Sequence, residues 1–211
     1  MADVVTVDGP DAATYLQGQI TQDVTTLAVG DVAWTFVLEP TGRVVVLARL
    51  QRAAPDRFQF VVDDGYGEAL LARLNRFKLR VKADLALATS VADDAPTAAD
   101  RIARTWPAMG HEIIPGDTIP AETGITGAAV SFTKGCYTGQ ELVERMDARQ
   151  ATPPRRLVRV HAPAPLAEGR ELTLAGKVVG VVTTSAGTDA LAYVHRTVDA
   201  GSTLDADIAV A

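Results

Sequence analysis

Lys134-Gly135-Cys136-Tyr137-Thr138-Gly139-Gln140-Glu141 sets the only cysteine of a 211-residue chain between glycines, where loop character gives way to helix. Thr138 and Glu141 have the spacing of a capping box, which predicts a helix from this point through about Arg149. Cys136 would then precede a helix N-terminus, where the macrodipole and nearby Lys134 favour thiolate over thiol. Spacing alone leaves two readings open: a reactive thiol, or a capped surface helix preceded by a partly buried structural cysteine.

Downstream, Leu142, Val143 and Met146 give the helix a modest apolar face, and Glu141 and Arg145 are spaced to pair. Pro153-Pro154 ends it and marks the clearest domain boundary. Strand-like runs follow at 157–161, 171–175, 177–184, 191–195 and 205–210, with Gly176-Lys177 as a two-residue turn, and predict a small barrel. Upstream, 107–127 is rich in Gly and Pro and reads as a shaped loop of the kind that carries sites, from which Ala128, Val130 and Phe132 alternate into the motif.

Nearer the N-terminus, Gly9-Pro10-Asp11 opens a helix continued by Ala12, Leu16 and Ile20, and 32–50 forms a hairpin turning at Pro40-Thr41-Gly42. A second unit begins near residue 52, with a strand at Phe58, Phe60 and Val62, a helix at Leu70, Leu71, Leu74 and Phe77, and strand-like alternation over 79–91. Asp63-Asp64 reads as a strand-ending, helix-capping pair, 92–96 as a loop, and 98–106 as a further short segment. This order is that of a small split βαβ sandwich.

With 47% hydrophobic and 22% charged residues, the composition is that of a globular protein and excludes disordered and fibrous classes. A formal net charge of -6 argues against a general nucleic-acid binder. One cysteine excludes an internal disulfide framework and a four-thiolate iron–sulfur centre within one chain, and it suggests a reducing compartment. His111, His161 and His195 lack metal-ligand spacing, so no metal site is expected. Neither a basic-then-apolar leader nor a membrane-length apolar run is present, which gives the expectation of a cytoplasmic protein without membrane partners.

Over nearly its whole length the chain resembles the folate-binding YgfZ family, which includes the IBA57-type iron–sulfur assembly factors, within the aminomethyltransferase (glycine cleavage T-protein) superfamily. The motif Lys134 to Glu141 carries the resemblance, supported in order by 9–12, 15–19, 21–24, 40–43, 77–80, 119–122, 130–132 and 180–185. It implies an α+β fold of three domains around a central channel: a discontinuous first domain (1–51 and 107–152), a ferredoxin-like insertion (52–106) and a small C-terminal β-barrel (153–211). It also implies tetrahydrofolate, or a one-carbon derivative, in the channel, and iron–sulfur proteins or assembly factors as partners.

By the same resemblance Cys136 is the residue with a redox or thiol role, and the ligand-binding set is Glu122, Lys134, Gly135, Tyr137, Thr138, Gly139, Gln140, Glu141 and Arg145. A pterin presents adjacent N–H donors that suit a carboxylate, and a glutamyl tail suits Arg or Lys. The superfamily's pterin-contacting glutamate falls at Ala103, leaving Glu112, Glu122 or Glu141 as substitutes, and Arg145, Arg149, Arg155, Arg156 and Arg159 form a basic region that could receive the tail. The glycine-cleavage aspartate falls at Ala69 or Leu70, and the Arg-Gly after the motif helix is Arg149-Gln150. Aminomethyl transfer is therefore not expected. It remains the alternative, beside a folate-independent thiol module that shares a cluster or mixed disulfide with a partner.

Overall fold

Alternating apolar residues build most of the strands. The computed structural model describes residues 1–92 and 95–211, so Asp93 and Asp94 of the expected 92–96 loop lie outside the described residues. In chain order the first elements are β1 (Ala2–Asp8), α1 (Ala12–Gln17), β2 (Val32–Leu38), β3 (Val44–Ala54), β4 (Arg57–Asp63), α2 (Gly67–Arg76), β5 (Asp84–Val91) and α3 (Ala98–Arg104). A 3-10 turn (Pro120–Glu122), α4 (Thr126–Ala129) and α5 (Gln140–Ala148) follow. The last elements are β6 (Arg155–His161), β7 (Glu171–Leu174), β8 (Lys177–Ala186), β9 (Asp189–His195), β10 (Thr203–Leu204) and β11 (Ile208–Val210).

The first sheet has five strands in the order β2-β3-β4-β1-β5. Val5, Phe60 and Leu50 are neighbours across β1, β4 and β3, all buried on the face that α2 covers with Leu70 and Leu74. The opposite face carries half-buried Val4, Val61 and Arg49, and on it Trp34 and Trp106 meet with ring centroids 4.9 Å apart.

The structure differs from the expected sandwich in its pairing. β4, α2 and β5 occur in the expected order, but β4 pairs with β1 and β3, and β5 pairs with β1. The boundary expected after residue 51 falls inside β3. The helix-capping role expected of Asp63-Asp64 belongs instead to Asp3, whose Oδ2 accepts from Gly65 N (3.0 Å) and Gly67 N (2.9 Å). Burial pushes the Asp3 carboxyl up, but these amides and that of Ser90 outweigh it and hold the group below its ordinary value.

The C-terminal sheet has six strands in the order β10-β11-β6-β9-β8-β7 and closes almost completely. Across the open seam, Asp205 N donates to Thr173 O (3.0 Å) and Asp205 Oδ1 accepts from Thr173 N (2.8 Å) and Oγ1 (2.6 Å). The β7–β8 turn is Ala175-Gly176, not Gly176-Lys177: Leu174 pairs with Lys177, and φ is +50° at Ala175 and +76° at Gly176, the signature of a type I′ turn. From α3, buried Ile102 packs on Leu157, Leu191 and Tyr193 and so joins the sheet unit to the barrel.

Candidate functional site

The motif loop is fixed by glycines that its sequence spacing does not explain. The expected capping box is absent: α5 begins at Gln140, its N-cap is Gly139 with φ +87°, and no side chain caps it. A Cβ at Gly139 would lie 2.5 Å from Glu39 O, and one at Gly42 would lie 2.6 Å from Leu142 Cβ, so the β2–β3 turn and the motif pack backbone to backbone. Thr138 is instead engaged across the loop, with its N (3.1 Å) and Oγ1 (3.4 Å) donating to Gly18 O. Gln140 Oε1 accepts from Tyr137 N at 3.0 Å and closes the turn between them.

Cys136 is exposed and is separated from the helix start by Tyr137, Thr138 and Gly139. Lys134 Nζ donates to Gln17 O (2.7 Å), Ile20 O (2.6 Å) and Gln22 O (3.1 Å), and lies 4.9 Å from the centre of the Tyr137 ring. Burial pulls its ammonium down to about 8, against the pull of the Asp23 carboxylate. Tyr137 is buried, and among the described residues its hydroxyl finds no partner. Gly135, Glu141 and Arg145 are exposed, and Glu141 and Arg145 form no ion pair with each other among the described residues.

Glu122 lies elsewhere, in a cleft of about 710 Å³ between the 3-10 turn and the barrel. Arg43, Asp117, Glu122, Arg155, Glu171, Tyr193 and His195 supply its polar groups, and Ile119, Val178, Val179 and Val181 its apolar wall. Arg155 Nη2 donates to Asp117 Oδ2 (2.8 Å), its Nε is 3.3 Å from Glu122 Oε1, and its guanidinium lies 4.6 Å from the Tyr193 ring centre. Burial pushes the Tyr193 phenol well above its usual range, and its hydroxyl donates to Glu112 O at 3.0 Å.

The structure therefore separates residues that the sequence reading grouped. Glu122 is in the cleft, whereas none of Lys134 to Glu141 and not Arg145 lines it. Of the expected basic region, only Arg155 reaches it; Arg156 donates to Val198 O at 2.7 Å, and Arg145, Arg149 and Arg159 are exposed. Glu112 is a buried structural carboxylate that accepts from Arg101 Nη1 (2.7 Å), Thr184 Oγ1 (2.6 Å) and Ala108 N (3.0 Å). Ala103 is exposed on α3, and Leu70 is core. Asp117 was missed because a lone aspartate in a Gly/Pro-rich loop carries no local signal, whereas Arg43 stood in the quoted Pro40–Arg43 stretch.

No helix of the described residues is long and apolar enough to cross a membrane, and no group of three or more His, Cys, Asp or Glu is placed to hold a metal ion among them.

The fold is mixed α/β, of the glycine cleavage T-protein type. It superimposes on the crystal structure of glycine cleavage system aminomethyltransferase T from Bartonella henselae with a TM-score of 0.79, covering 96% of this chain and 79% of that one at 18% identity. Residues 155–209 match the CAF17 C-terminal β-barrel domain. The chain is also similar to the mitochondrial iron-sulfur cluster assembly factor IBA57 homolog of Pyricularia oryzae, with 30% identity over 201 aligned positions covering 67% of this chain and 51% of that protein. An uncharacterized protein of Haemophilus influenzae is 26% identical over 190 positions, covering 70% of this chain and 67% of that protein. In sequence the chain is thus similar to an IBA57 homolog, and in fold to a glycine cleavage T-protein. It spans about half the length of the Pyricularia relative.

Proposed function

We propose that this protein is a tetrahydrofolate-binding factor that supports iron–sulfur cluster assembly or repair, with Cys136 as its working thiol and the cleft as its ligand site. The cleft carries the reading. Its volume of about 710 Å³ lies within the range of small-molecule sites, roughly 300–1,000 Å³. Glu122 offers carboxylate oxygens with spare acceptor capacity for paired pterin N–H donors, and Arg43 and Arg155 are the cations nearest for a glutamyl carboxylate. These residues fit the ligand, which when bound would supply its one-carbon and redox chemistry. The similarity to an iron-sulfur cluster assembly factor supports the cellular role, with clusters as cargo and assembly proteins as partners. A single exposed thiol suits a reducing, cytoplasmic setting. Leu70 and Ala69 supply no carboxylate where the glycine-cleavage branch has one, which supports a factor without aminomethyl transfer.

Calorimetric titration of the full chain with tetrahydrofolate tests this. Binding by the wild type, weakened about tenfold or more in Glu122→Gln by loss of the charged hydrogen bonds, supports the reading. Unchanged affinity in Glu122→Gln moves the pterin elsewhere, and absence of binding at millimolar ligand removes the folate. The second reading, a folate-independent thiol module, draws on Cys136 standing outside the cleft lining. It predicts Cys136-dependent rescue of iron–sulfur enzyme activity in a deletion strain with no folate affinity in the purified protein.

A further inference from the structure

The loop around Cys136 is gripped at three points along its length by one segment, 17–22. Before the cysteine in sequence, Thr21 Oγ1 donates to Ala129 O at 2.6 Å and Ser131 N donates to Thr21 O at 2.9 Å. After it, Thr138 N donates to Gly18 O at 3.1 Å. In the middle stands Lys134, whose three ammonium donors reach carbonyls of Gln17, Ile20 and Gln22 within 2.6 to 3.1 Å. Gln17 also braces the receiving segment, with Oε1 accepting from Val24 N at 3.0 Å and Nε2 donating to Asp23 Oδ1 at 3.1 Å. By contrast, the space around Gly135 is open and Cys136 is exposed.

An ammonium has three donors and no acceptor, and here all three are committed to backbone oxygens. None remains to hydrogen-bond a thiolate. We infer that Lys134 is a positioning residue for Cys136: its ammonium, seated on three converging carbonyls of 17–22, holds the loop so that the thiol is presented at its tip. This role is distinct from the sequence expectation that the charge of Lys134 favours the thiolate, since it acts through the three carbonyls. It rests on the proposed function only in taking Cys136 as the working group.

Arginine separates the two roles. It keeps the charge, but its planar fork on a longer stem cannot direct three bonds to converging oxygens. In the full chain, Lys134→Met and Lys134→Arg are compared with wild type by hydrogen–deuterium exchange over 17–22 and 131–138, and by the pH dependence of Cys136 alkylation with neutral iodoacetamide. Both variants are expected to speed exchange in both segments by about tenfold or more, with the alkylation midpoint unmoved. Wild-type behaviour of Lys134→Arg together with a raised midpoint in Lys134→Met overturns the inference in favour of charge activation. Unchanged exchange in both variants overturns it as well. Should neither variant fold, the wild type decides: a shared grip requires the two segments to open together at one rate, and separate rates refute it. None of these readouts involves folate, so a failed tetrahydrofolate titration and a failed tether remain distinguishable.

Discussion

At the scale of single residues, the motif holds a thiol that the fold does not need and a glycine that it does. Cys136 is exposed and contributes nothing to the buried clusters, so Cys136→Ala is expected to leave the melting temperature within about a degree, as for other surface changes under roughly 0.5 kcal/mol. The same variant is expected to fail to restore iron–sulfur enzyme activity in a deletion strain. Full rescue would end the thiol reading. Glycine makes an opposite contrast within the same motif. Gly139 has φ +87° with Glu39 O 2.5 Å from any added Cβ, while Gly135 has open space and no positive φ. Gly139→Ala is expected to destabilise by about 2 kcal/mol or more, and Gly135→Ala by less than about 0.5 kcal/mol, in urea titration. The sequence shows both as motif glycines of equal standing; what separates them is the approach of the β2–β3 turn, across a separation of about a hundred residues that no local pattern encodes.

At the scale of elements, what was legible is what is local. Alternation at Phe58, Phe60 and Val62 gave β4 correctly, but it could not say that β4 pairs with β1, because pairing is decided by which apolar faces meet around α2. Caps and turns were misassigned for a related reason. Thr138 has an intended-looking Glu141 within reach, yet the carbonyl of Gly18 competes for it. In the barrel, Ala175 occupies the first position of the I′ turn at φ +50°, a conformation that asparagine adopts more readily than alanine. Ala175→Asn is expected to stabilise the protein by about 0.5–1 kcal/mol, and any loss would show that the turn is not type I′ in solution. The seam offers a pH test. The hydroxyl of Thr173 holds the Asp205 carboxyl below its ordinary value of 3.8, with burial opposing and the Thr173 amide and Arg170 assisting. A depressed carboxyl contributes stability that is fully present above the unfolded value and is lost as pH falls through the folded one. The stability difference between wild type and Asp205→Asn is therefore expected to be about 1 kcal/mol above about pH 5 and to shrink progressively as pH falls through and below the ordinary carboxyl value. A difference independent of pH would show that Asp205 does not act through its charge.

Across the whole molecule, the cleft exists because two separately built units are held at a fixed separation, and the group that fixes them is buried rather than catalytic. Glu112 accepts from Arg101 Nη1 (2.7 Å) on the sheet side and from Thr184 Oγ1 (2.6 Å) on the barrel side, while its carbonyl receives the Tyr193 hydroxyl (3.0 Å). Arg101 completes the triangle with a bond to Thr184 Oγ1 at 3.1 Å. The sequence offered Glu112 as a possible pterin carboxylate, since an isolated glutamate in a loop has no pattern to reveal that a buried arginine and a threonine from the barrel will meet it. Removing it leaves the Arg101 guanidinium, with a side chain only 9% exposed, without a counter-charge, a loss of about 3–5 kcal/mol for a broken buried pair. The cost falls at the joint, so it should separate the units as well as weaken them. Wild type is expected to unfold in one calorimetric transition, with the barrel and sheet unit coupled through Ile102 and this network. Glu112→Ala is expected to show two transitions and, with the cleft as the proposed folate site, to lose tetrahydrofolate affinity although Glu112 does not line it. A single transition with a loss below about 1 kcal/mol would mean that Arg101 finds water or another partner readily, and that the contact of Ile102 with Leu157, Leu191 and Tyr193, together with the bonds of Arg155 to Asp117 and Glu122, sets the width of the cleft.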